Sequence, residues 1–121
     1  MVRPELVFVY LGASFPRYGT SSLRLARRAF SGTIRVLTDR PHEVSVDGVC
    51  FESIESWYNS EPFFEFKEKS SLDPLFRSGF WFHTVERFFV LEQYMARQRE
   101  PIFHAELDVL IFPLGSLHEN L

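Results

Sequence analysis

The chain has 121 residues, 45% hydrophobic and 24% charged, with a formal net charge of −3. That length suits one domain, and that balance suits a packed core rather than a disordered segment. No broad positive field is implied, which sets nucleic acid and anionic membrane aside as partners.

Leu6-Val7-Phe8-Val9-Tyr10-Leu11 is a short apolar run rich in β-formers. It predicts a strand buried on both faces, the habit of a parallel sheet covered by helices on both sides. Gly12 to Gly19 mixes Gly, Ser, Pro and Tyr and predicts a loop. Thr20 or Ser21 can then cap a helix running to about Phe30, with Gly32 as its stop. Arg24, Arg27 and Arg28 on that helix offer charge to solvent or to a ligand. Thr33 to Thr38 predicts a second strand, closed by Asp39-Arg40-Pro41. Strand, helix and strand at this spacing make a βαβ unit.

Val49-Cys50-Phe51 predicts a third strand, with Cys50, the single cysteine, as a buried structural thiol. One cysteine rules out an intrachain disulfide and fits a reducing compartment. Ser60 to Ser78 has no clean periodicity and predicts a loop with a short helical turn. After Gly79, Trp81, Val85, Phe88, Leu91 and Met95 step by four, three, three and four, which predicts a helix with that stripe inward. Pro101 ends it. Ile102 to Phe112 predicts a last strand, interrupted by Glu106 and Asp108. No stretch is long and apolar enough to span a bilayer, so the expected location is cytoplasmic.

Glu106-Leu107-Asp108 is the most informative segment. Carboxylates two residues apart point to one side of an extended chain. Acids at the end of a core strand are costly to bury unless paired or bound to a cation. Mg2+ or Mn2+ takes oxygen ligands and leaves positions for phosphate oxygens. The alternative is a solvated strand-end turn, or pairing of one acid with Arg87. His104, two residues before Glu106, is either a satisfied core residue or, with the two acids, a ligand in a set that could take Zn2+.

Glu106-Leu107-Asp108, followed by Val109-Leu110-Ile111, resembles the DxD segment of GT-A nucleotide-diphospho-sugar transferases. The helix before it, Ser78 to Leu91, is similar to the helix that precedes that motif. The stretches Val7 to Tyr18 and Val36 to Asp39 resemble the family's donor-nucleotide region. The resemblance spans Leu6 to about Leu117. It departs from the family at Glu106, one methylene longer than the usual Asp.

The resemblance implies a Rossmann-like α/β fold over residues 1–121, with a central, mostly parallel sheet flanked by helices. It implies transfer of a sugar from a nucleotide-diphospho-sugar donor to an acceptor hydroxyl, assisted by Mn2+ or Mg2+. Asp108 is then the metal ligand, and Glu106 shares the metal or touches the donor ribose. Tyr10, Leu11, Gly12 and Tyr18 fall where the family holds base and ribose. Asp39 ends the second strand, where such acids meet ribose hydroxyls; it is equally a plain turn former. Arg87 reaches the diphosphate, pairs with the acids, or faces solvent. The family's acceptor site and any catalytic base lie downstream of the motif, so the chain is expected to hold a partial, donor-binding domain. Two alternatives of another class stand beside this: an inactive nucleotide- or metal-binding module, and an interaction scaffold using the Phe63 to Phe76 segment.

Overall fold

Glu5–Tyr10 forms strand β1, whose four central residues are all buried. A computed structural model describes residues 4–12, 15–41, 43–69, 80–98 and 101–106. Along them run β1, helix α1 (Arg17–Ala29), β2 (Ile34–Thr38), β3 (Cys50–Ser53), α2 (Glu61–Lys69), α3 (Phe80–Arg97) and β4 (Ile102–His104). The chain divides into two compact units, Met1–Ser53 with Glu100–Leu121, and Ile54–Arg99.

The first unit holds a four-stranded sheet of order β3-β2-β1-β4. All three strand pairs are parallel, with Leu6 opposite Ile34, Arg35 opposite Cys50 and Val7 opposite His104. The α/β class and the parallel sheet are therefore as the sequence predicts. Leu6 and Phe8 of β1 and Ile34 and Val36 of β2 lie in one core cluster with Leu23, Ala26 and Phe30 from α1 and its end. Each such side chain, fully buried, contributes about 1.5–3 kcal/mol. Val7, Val9 and Leu37, which alternate with them, are buried as well. The opposite face also carries charge. Arg35 bridges Glu5 at 2.7 Å and Glu52 at 2.9 Å, tying three strands together.

Helix α1 begins three residues earlier than Thr20. Pro16 sits at its N-cap in extended conformation, and the Gly19 N–H donates to the Pro16 carbonyl at 3.0 Å. Pro is compatible with a helix entrance because the N–H it lacks has no partner there. Gly32 follows the helix, but its conformation is not left-handed. It is needed for space, since a Cβ there would lie 2.9 Å from the Phe30 ring and 3.0 Å from the Pro4 carbonyl. Arg27 does not offer its charge to a ligand. Its guanidinium donates to the carbonyls of Gly48 (2.8 Å), Phe30 (2.5 Å) and Gly32 (2.7 Å), closing the end of α1 onto the β2 and β3 approaches.

Cys50 is exposed, not buried. β3 is the outer strand of the sheet order, so its first residue has a neighbouring strand on one side only.

In the second unit, helix α2 takes up residues 61–69 of the expected loop, longer than the short turn predicted there, and 70–78 lie outside the described residues. Asn59 Oδ1 accepts the Glu61 N–H at 3.1 Å, capping the helix. Glu61 in the first turn and Lys67 and Lys69 in the last complement its dipole. The pattern is hard to see because the helix is only nine residues long and buries one of them, Phe63. Phe89 of α3 lies 5.6 Å from Phe63 and 5.7 Å from Phe66, ring to ring. Gln93 of α3 clasps Asn59, accepting its N–H at 2.7 Å and donating to its carbonyl at 2.6 Å.

The inward face of α3 also departs from expectation. Val90, Leu91 and Tyr94 are buried, whereas Phe88 and Met95 are 56% and 48% exposed. Of the predicted stripe, Leu91 keeps its place. The helix is turned by its partners, Phe63 against Phe89 and Trp57 against Tyr94. Hydrophobic spacing alone does not choose between two overlapping apolar stripes.

Candidate functional site at the carboxyl edge of the sheet

In a parallel sheet the loops that follow the strands gather at one edge, and ligands bind where neighbouring strands lead to opposite directions of the order. Here that point lies between β1, which leads on to β2, and β4 on its other side. Leu11 and Gly12 leave β1 at this edge, Asp39 leaves β2, and Ala105 and Glu106 leave β4.

Gly12 has a φ of 81°, the left-handed region that glycine enters without a Cβ clash. Its N–H points at the Asp39 carboxylate, 3.1 Å from Oδ2 and 3.3 Å from Oδ1. A carboxylate has about four acceptor sites, so Asp39 retains capacity for a further donor. Four residues on, Glu43 Oε2 accepts the Phe15 N–H at 3.3 Å, and its Oε1 receives Arg40 at 3.1 Å. Thr38 Oγ1 accepts the Arg40 N–H at 3.1 Å and bends the chain after β2.

Tyr10 is half-buried at the end of β1 and packs edge-on against Phe15 at 5.4 Å, which in turn meets Phe51 at 5.9 Å. Burial first, then the charges of Tyr18 and Glu43, push the Tyr10 phenol above its ordinary pKa. Tyr10 is therefore a neutral phenol at physiological pH. Tyr18, in the first turn of α1, is 54% exposed and presents a ring to solvent at the same edge.

β4 ends at His104, earlier than the predicted strand. The Ala105 N–H still donates to the Val7 carbonyl at 3.3 Å. His104 Nδ1 lies 3.0 Å from the same carbonyl. Since a carbonyl only accepts, that contact places the ring proton on Nδ1. Glu106 is exposed and lies beyond the strand rather than in it. Asp108 lies outside the described residues. Among the described residues, no group of three or more His, Cys, Asp or Glu gathers to hold a metal ion.

Six of the predicted residues, Tyr10, Leu11, Gly12, Tyr18, Asp39 and Glu106, thus belong to the first unit and follow or end its strands, Tyr18 from the first turn of α1. Arg87 belongs to α3 in the second unit, where its guanidinium stacks 5.1 Å from the Phe88 ring. Sequence reading passed over Phe15, Arg40 and Glu43. The one available signal was an acid four residues after Asp39, within the turn opened by Pro41.

A cavity of about 410 Å3 lies at the other, amino end of the strands, between Arg27, Thr33, Gly48 and Cys50. It is far along the strands from the residues above. No helix among the described residues is long and apolar enough to cross a membrane. No protein-family model, curated protein or solved structure matches the chain. What defines it is its architecture, a Rossmann-like α/β arrangement with a four-stranded, all-parallel sheet.

Proposed function

We propose that the chain binds the nucleotide of a nucleotide-diphospho-sugar donor at the carboxyl edge of its sheet, for sugar transfer to an acceptor hydroxyl. The observation that carries this reading is the Gly12–Asp39 pair at the ends of adjacent parallel strands. It holds a carboxylate with spare acceptor capacity beside a glycine that admits close backbone approach. In this reading Asp39 accepts from ribose hydroxyls, and Tyr18 offers a face to the base. Glu106 and Asp108 hold Mn2+ or Mg2+, which would neutralise diphosphate charge and stabilise the leaving group.

The test is a titration of the purified chain with UDP and GDP, with and without Mn2+, repeated on Asp39→Asn and Asp108→Asn. Metal-dependent binding that Asp108→Asn abolishes supports the reading. A folded chain that binds neither nucleotide overturns it, and the interaction-scaffold alternative then takes its place. That alternative draws on exposed Phe64 and Phe66 of α2, 50% and 38% accessible.

A further inference from the structure

The loop after β1 is tied to the turn after β2 at two points. Asp39 accepts the Gly12 N–H, and Glu43 accepts the Phe15 N–H. Neither tie belongs to a strand ladder or a helix. Both are carboxylate contacts to backbone donors, the charge-assisted kind. Glu43 is itself held, because its other oxygen is paired with Arg40 at 3.1 Å.

What Glu43 fixes is the backbone of Phe15, and the Phe15 ring is already confined. It meets Tyr10 on one side and Phe51 on another. Gly19 makes room for it, since a Cβ there would lie 2.7 Å from the ring. Tyr18 follows three residues after Phe15 on the first turn of α1. The position of Phe15 therefore sets both the Tyr10 surface and the start of the helix that carries Tyr18. A loop fixed before its ligand arrives loses less conformational freedom on binding.

We propose that Glu43 is a positioning residue for the nucleotide site, holding the loop after β1 in its ligand-ready form through the Phe15 N–H, with Arg40 steering the carboxylate. This rests on the nucleotide reading above. It adds a residue that need not touch the ligand and assigns Arg40 to Glu43 rather than to phosphate.

Two measurements on wild type, Glu43→Ala, Glu43→Gln and Arg40→Ala test it: amide hydrogen exchange at Phe15, and titration with UDP and GDP in Mn2+. Glu43→Ala should speed Phe15 exchange and weaken nucleotide binding about tenfold, the equivalent of one lost charge-assisted hydrogen bond. Glu43→Gln keeps an acceptor oxygen and should restore most of both. Arg40→Ala should shift both in the same direction by less. Unchanged exchange and affinity in Glu43→Ala would overturn the proposal, as would a Gln variant as impaired as the Ala variant. An Arg40→Ala loss larger than that of Glu43→Ala would overturn it too, by making Arg40 a direct ligand contact. If wild type binds neither nucleotide, the nucleotide reading fails and the binding role of Glu43 fails with it. Phe15 exchange then still decides whether Glu43 fixes the loop.

Discussion

The Gly12 N–H reaches the Asp39 carboxylate across 27 residues of chain, at 3.1 Å to Oδ2 and 3.3 Å to Oδ1. The contact joins the exits of β1 and β2, which run side by side up to Tyr10 and Thr38. Substitutions at its two ends should disturb it in two different ways. Gly12→Ala retains the donor but forces a Cβ into the left-handed region, at a cost of about 1–2 kcal/mol. Asp39→Ala removes the acceptor from a partly solvated site and should cost about 1 kcal/mol. Asp39→Asn keeps an oxygen acceptor and should cost less than Asp39→Ala. Urea unfolding of the three variants checks the order.

Arg27 and Gly48 should behave as one unit. Arg27→Met leaves the Phe30, Gly32 and Gly48 carbonyls without their guanidinium donor, which predicts a loss of about 2–3 kcal/mol. Gly48→Ala meets two obstacles, a φ of +79° and a Cβ 2.7 Å from Arg27 Cδ. The double variant should be less destabilised than the sum of the two, because a Met side chain, no longer anchored by the three carbonyls, can swing its Sδ away from the added Cβ. Strict additivity in a double-mutant cycle would contradict the geometry.

The orientation of α3 can be read from paired substitutions. Leu91→Ala removes a side chain that is 5% exposed and should cost about 2–4 kcal/mol. Phe88→Ser lies on the outward face and should cost only about 1 kcal/mol, chiefly its stacking with Arg87. Equal large losses at both would mean that the predicted stripe, not the observed face, is the one that packs.

Tyr58 makes the fold sensitive to alkali. Its hydroxyl donates to Glu86 Oε2 at 3.1 Å. Burial first, then the Glu86 charge and this hydrogen bond, raise its pKa above the ordinary 10.0. The folded state therefore holds the phenol proton more tightly than the unfolded state. The stabilisation is fully present below pH 10 and is lost as pH rises beyond it toward the folded pKa. Melting temperatures measured across the phenol's ordinary pKa, from about pH 8 to about 11, should fall more steeply for wild type than for Tyr58→Phe. Tyr10, also raised, should leave a residual slope in the variant. Parallel curves would refute the role given to Tyr58.

Much of the first unit was legible in the sequence. The apolar run at Leu6 is continuous and that at Ile34 is broken only by Arg35, close to the pattern a central parallel strand demands from both faces. Cys50 was misjudged because Cys50-Phe51 has the same local composition whether its strand is central or outermost. Only the sheet order, with β3 at its end, exposes the thiol. The helix at Glu61 was obscured by three phenylalanines at 63, 64 and 66, which do not form one stripe until Phe89 arrives to cover two of them. At the candidate site, Glu106 and Asp39 drew attention by chemistry and position. Glu43 did not, because nothing local ties an exposed turn acid to an N–H 28 residues earlier.

The sequence by itself determined the α/β class, the β1–α1–β2 unit and the exits of β1 and β2, because hydrophobic period and helix-breaking residues act over a few neighbours. Tertiary structure decided the strand order, the outward turn of Phe88 and Met95, the confinement of Arg27 to backbone carbonyls, and the two carboxylates that hold the loop after β1. Each of these depends on which distant group satisfies a buried face or a backbone donor, and that choice is made only when the elements meet.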